Sequence, residues 1–185
     1  KLNYKGAAVL LGTRKLTLEG AGTLISTNAF NLNNASSQLV LTASGTVNKV
    51  SATANLNTGI SISESSTIST LTVGGTTPVA IANGKSLSGT ISLNSGGTLK
   101  LTKTGTLAST VTLNGGTLDI DENLTSSGAY SLSDNSTIDV AGGKTLTYSG
   151  TGLSLGSRTL TLQGAGTLSN ANALTLNNAN SILKV

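Results

Sequence analysis

Residues 145–185 restate residues 1–41 at an offset of 144, with 22 of the 41 aligned positions identical. The match includes uncommon residues: Tyr4 recurs as Tyr148, Arg14 as Arg158, and Asn33-Asn34 as Asn177-Asn178. Inside the 144 residues runs a shorter period. An apolar-x-apolar triplet begins at Leu16, Leu39, Ile60, Val79, Leu99, Leu118, Ile138, Leu160 and Leu183, at spacings of 19 to 23 residues. Seven short repeats therefore fill one long one, and a fixed period near 20 residues is the mark of a solenoid.

Each short repeat carries five apolar positions. In Leu99–Gly116 they are Leu99 and Leu101, a lone Leu107, then Val111 and Leu113. One repeat later they are Leu118, Ile120, Leu124, Tyr130 and Leu132, and in the last full repeat Leu160, Leu162, Leu168, Leu174 and Leu176. Alternation of this kind is a strand with one buried face, and no helical period persists anywhere. Three short strands joined by Gly, Asn and Ser turns make one triangular coil. Equivalent triplets recur in the same chain direction, so consecutive coils stack in parallel, with right-handed crossovers expected. The fold predicted is all-β: a single-stranded parallel β-helix of about nine coils, about 20 residues each, with seven coils per 144-residue unit. Residues 1–185 are expected to be one continuous solenoid, a slice of a longer tandem array or of subunits stacked end to end. A rise of about 4.8 Å per coil gives about 34 Å per unit.

Composition agrees with a narrow aliphatic bore. The chain has one Phe, three Tyr and no Trp, but 23 Gly. Pairs such as Gly96-Gly97, Gly115-Gly116 and Gly142-Gly143 fall between strands, at corners that a Cβ would resist. Asn follows the second apolar pair at Asn33, Asn94, Asn114 and Asn177. Two readings stand for these residues: amide ladders between coils, or simple tolerance of turn dihedrals.

The absence of His and Cys removes the usual zinc, copper, haem and iron–sulfur ligands and the His-dependent nucleophile triads. No enzymatic function and no cofactor are expected. Eleven Lys and Arg against seven Asp and Glu give a net charge of +4. The cations are dispersed and lack interleaved aromatics, so a nucleic-acid partner is not expected. The longest apolar run, Ala7–Leu11, is far below the roughly 18 residues that span a bilayer.

Segments such as NGGTLDI (Asn114–Ile120) and SGGTLKL (Ser95–Leu101) resemble the Gly-Gly-Thr-Leu strand repeats of bacterial autotransporter passenger domains. More broadly, the chain is similar to the β-helical shafts of filamentous-haemagglutinin-like adhesins. The resemblance implies a secreted, surface-exposed shaft or fibre, extracellular on a bacterial cell.

Two outward columns are the candidate sites. The residues between the first pairs read Thr17, Val40, Ser61, Ala80, Lys100, Asp119, Asp139, Thr161 and Lys184. Asp119 and Asp139, with Asp121 and Glu122, hold four of the seven carboxylates. Three readings compete there: a solvated patch neutralised by Lys100, a weak calcium site, or the carboxylate pair of a polysaccharide-cleaving enzyme centred on Asp119, Asp121 and Asp139. The residues between the second pairs read Asn31, Thr72, Ser92, Thr112, Ser131, Ser154 and Thr175. Ranked hydroxyls suggest an ice-binding face, but such faces need two parallel files, and the neighbouring column is expected to carry Lys and Asp. The leading expectation is a structural shaft that associates end to end or continues covalently. A glycan-, host-surface- or ice-binding module is the alternative.

Overall fold

A computed structural model describes residues 1–185 and shows a parallel β-solenoid of about nine turns with no helix. Successive turns lie 19 to 24 residues apart in the strand registers. Every strand-to-strand ladder is parallel. The chain visits three faces in a fixed order, so the coil is triangular.

The first face is a nine-stranded sheet running from Lys15–Leu18 through Thr76–Ile81, Thr98–Leu101, Thr117–Ile120 and Ser136–Val140 to Ile182–Lys184. The second holds the strand that begins after the Gly-Thr corner, from Leu2–Tyr4 to Thr167–Asn170. The third carries the second apolar pair. In three middle coils the second and third faces share a single long strand, Thr46–Ala52, Ser66–Val73 and Ser86–Asn94. Gly89 takes the bend in the last of these. Its φ is +124°, the ladder register shifts after it, and a Cβ there would stand 1.8 Å from the Ile68 carbonyl oxygen. Only glycine fits.

The five apolar positions point inward. Leu99, Leu101, Leu107, Val111 and Leu113 are all buried, and 37 apolar residues form one uninterrupted core along the rod. A column completes its burial only when a coil lies on both sides, and Leu176 on the last coil remains 52% exposed. The bore also accepts hydroxyls, each with a partner. Buried Ser126, Ser109 and Ser66 donate to the carbonyls of Leu107, Leu87 and Glu64 at 3.1, 3.1 and 2.8 Å. Burial without such partners costs free energy, and no buried side-chain polar atom lacks one.

The first face departs from the expected register at two places. Val79 pairs with Ile60 below but with Leu101 above, not Leu99. Ile138 pairs with Leu118 below but with Leu162 above, not Leu160. Both strands have three inward positions, the first being a hydroxyl residue: Thr77 and Ser136, both buried. Thr77 Oγ1 donates to the Gly75 carbonyl at 3.4 Å and Ser136 Oγ to that of Asp134 at 2.9 Å. The coil below registers on the second and third inward positions, the coil above on the first and second. An apolar pattern cannot see the inward hydroxyl, so the outward column read from sequence is broken twice.

The third face is interrupted once. Tyr130–Asp134 forms no ladder with Leu153–Ser154, and the latter makes a separate two-stranded sheet with Leu174–Thr175. Tyr148 fills the gap. Its hydroxyl accepts the backbone N–H of Tyr130 at 3.0 Å and donates to the Thr151 carbonyl at 2.6 Å, with the two rings 4.5 Å apart. A side chain thus supplies the acceptor that a neighbouring strand would have provided.

Candidate functional site

The acidic residues lie on the first face and at the corner that follows it. Asp119 and Asp139 are register partners on adjacent strands, about 4.8 Å apart in backbone spacing. The column containing them runs Pro78, Lys100, Asp119, Asp139 and Gln163. Lys100 therefore lies over Pro78 rather than Ala80, and Asp139 is followed by Gln163 rather than Thr161. Thr161 belongs to a separate threonine file, Thr76, Thr98, Thr117, Thr137 and Thr161, two residues earlier on the same strands.

Each carboxylate of the cluster has a partner. The Lys100 ammonium bridges Asp119 at 2.9 Å and Asp121 at 2.7 Å. Lys144 pairs with Glu122 at 2.6 Å, and Gln163 donates its amide N–H to Asp139 at 2.8 Å. Hydrogen bonds to Asp121, then to Asp119, hold the Lys100 ammonium above its usual range, outweighing the opposing effect of partial burial. No three of these carboxylates converge as a donor set for a metal ion. The arrangement has the chemistry of a cross-coil brace: one cation holds two anions that would otherwise repel on neighbouring positions. Sequence reasoning found Lys100 but missed Lys144 and Gln163. Both lie more than 20 residues away, and only the rung spacing brings them close.

The second column is confirmed in part and acquires a neighbour. Asn31, Ser51, Thr72, Ser92, Thr112 and Ser131 stand in successive registers, Ser51 being a member the triplet pattern did not show. Ser154 and Thr175 continue only beyond the Tyr148 interruption. Beside this file stands a second on the same face: Lys49, Thr70, Thr90 and Thr110. The expected charged neighbour column of Lys and Asp belongs instead to the first face. Three coils thus present paired hydroxyls, Thr70/Thr72, Thr90/Ser92 and Thr110/Thr112. They repeat about 4.8 Å between rungs and about 6.6 Å along the strand. Lys49 is the only charged member of either file. Thr110 and Thr90 hydroxyls lie 3.3 Å apart, as do those of Ser131 and Thr112.

Of the four corner asparagines, only Asn33 accepts from the backbone, Asn94 and Asn114 meet amide to amide, and Asn177 accepts from the Ser154 hydroxyl at 2.9 Å; other asparagines supply the remaining backbone acceptors. Asn33 accepts Gly12 N–H at 3.0 Å, and Asn55, Asn123 and Asn135 accept from Thr76, Thr145 and Thr159 at 2.8, 2.9 and 2.7 Å. A single amide-to-amide contact, Asn114 to Asn94 at 3.5 Å, represents the ladder. The corners therefore tie coil to coil through the chain's own N–H groups. No family model, no curated protein and no solved structure matches this chain.

Proposed function

We propose that this chain is a section of a non-enzymatic structural shaft, extracellular on a bacterial surface, that holds a distal part of an adhesin or filament away from the cell. The observation that supports the reading most is the uninterrupted aliphatic bore through about nine parallel turns. Its coils are joined by asparagine hydrogen bonds at several corners, and by ion pairs on the first face and at the corner that follows it. Such a stack draws its stability from nearest-neighbour interfaces and resists bending along its whole length. The absence of Cys and Met from the sequence suits an oxidising exterior. Its partners under this reading are further coils of the same chain, or a second copy stacked end to end on unpaired strand edges. Negative-stain electron microscopy of the native material tests it. Long thin fibres about one coil in width are expected. Compact particles of some other shape, or rods that enclose a bound polymer being degraded, would overturn the reading.

A second reading is favoured by the double hydroxyl file. Thr70, Thr72, Thr90, Ser92, Thr110 and Thr112 form a neutral two-file lattice without aromatics, which suits adsorption to ice better than stacking against sugar rings. Inhibition of ice recrystallisation by the purified protein, lost in Thr90→Lys and kept in Thr117→Lys, is the expected outcome of that reading. Equal activity of both variants, or none in the parent, rejects it.

A further inference from the structure

The corner between the first and second faces carries cross-coil ion pairs, Lys85 to Glu64 at 2.7 Å and Lys144 to Glu122 at 2.6 Å. Between these two pairs the series lapses. Lys103 is exposed and makes no ion pair, and it lines one shallow depression with Asn83 of the coil below and Glu122 of the coil above. Asn83 is the side chain of the coil below that shares this depression with Lys103, and Asn83 is followed by glycine.

Two Asn-Gly pairs occur in the chain, Asn83-Gly84 and Asn114-Gly115, and their surroundings differ. Asn83 and Gly84 are exposed in a tight turn closed by Lys85 N–H donating to the Ala82 carbonyl at 3.0 Å. The Asn83 amide and the Gly84 N–H make no hydrogen bond within the protein, and nothing crowds Gly84 within 4 Å of where a Cβ would stand. Asn114, in contrast, ends the strand Thr110–Asn114, and its side-chain amide contacts Asn94. The Gly115 N–H is committed to Ser136 Oγ at 3.0 Å, and Ser95 crowds Gly115 at 3.2 Å. Ring closure by the backbone nitrogen is open at the first pair and obstructed at the second.

We infer that Asn83 is a site of spontaneous self-modification that converts it to a carboxylate facing Lys103. The Gly84 backbone nitrogen gives its proton to solvent and attacks Asn83 Cγ. The bond from Cγ to the side-chain nitrogen breaks, and that nitrogen leaves as ammonia once a proton from solvent is supplied. Water then opens the five-membered imide at one of its carbonyls, leaving an aspartyl or isoaspartyl residue. The net change is uptake of one water and loss of one ammonia, with no redox partner. The net charge falls from the +4 of the unmodified chain by one, and the vacant interval in the corner series gains an anion.

Peptide mapping by mass spectrometry after prolonged incubation of the intact protein in warm, mildly alkaline buffer tests the assignment. Asn83 is expected to convert faster than Asn114 by about five-fold or more, the factor that one retained hydrogen bond is worth. Isoaspartyl labelling of the same samples is expected to fall in Asn83→Gln to the minor fraction that Asn114 supplies. Conversion of Asn114 at an equal or higher rate, an unchanged Asn83, or full labelling in Asn83→Gln would each overturn it.

Discussion

Gly89 and Tyr130 show how single residues set limits on this rod. At Gly89 a φ of +124° and a carbonyl 1.8 Å from the missing Cβ act together. Gly89→Ala is expected to destabilise the protein by about 1–3 kcal/mol from backbone strain alone, and further from the steric clash. Ser88→Ala, next to it and half-buried, is the control, and thermal denaturation of the two variants checks the difference. Tyr130 is fully enclosed, and burial pushes its hydroxyl well above the ordinary value of 10.0, the hydrogen bond with Ser126 only partly offsetting this. The unfolded chain loses that proton first, so above pH 10 it binds fewer protons than the native state and stability falls as pH rises. Lys100 acts in the same direction. Its folded pKa lies above 10.5, so its contribution is complete below that pH and lost as pH rises through the folded value. An alkaline titration followed by tyrosinate absorbance is expected to show one tyrosine that ionises only on unfolding, absent in Tyr130→Phe.

At the scale of the element, the first face is a sheet whose outward columns are decided by register rather than by alternation alone. Thr77 and Ser136 occupy inward places, and each moves the next coil by two residues. A slip of two preserves which side chains point inward, so the core tolerates it while the surface columns are re-dealt. That is how Lys100 comes to stand over Pro78 rather than Ala80, and Gln163 against Asp139. Lys100→Met removes the shared cation and leaves the two carboxylates uncompensated. Its expected cost is up to about 1 kcal/mol in low salt, since the pair is a third exposed. The difference from the parent is expected to shrink as ionic strength is raised, as melting in a salt series would show.

At the scale of the whole molecule, the solenoid is a one-dimensional chain of interfaces. Interior coils are covered on both sides, whereas Leu2, Leu10, Leu176 and Ile182 on the outermost coils are 67%, 61%, 52% and 46% exposed. Amide hydrogen exchange of the described chain is therefore expected to be slowest in Thr90–Asn94 and its register partners and fastest in Leu2–Tyr4 and Leu174–Thr175. Uniform protection along the rod would contradict nearest-neighbour stabilisation. The Tyr148 interruption is a second boundary. Coils on its two sides share two continuous faces instead of three.

The sequence by itself determined the parallel solenoid, its three-strand coil, the count of about nine turns and the identity of the inward leucines. These follow from periodicity, and stacking like on like repeats one local rule at every turn. Only the tertiary structure decided where the outward columns break and which file stands beside each. Inward Thr77 and Ser136 carry hydroxyls, which an apolar pattern passes over, and their burial depends on carbonyls supplied two residues away. The second hydroxyl file, Thr70, Thr90 and Thr110, was hidden for the related reason that two faces merge into long strands in the middle coils. The partners of Asp139 and Glu122 were hidden because contacts across a rung join residues more than 20 apart, where a shift of two in register exchanges one partner for another.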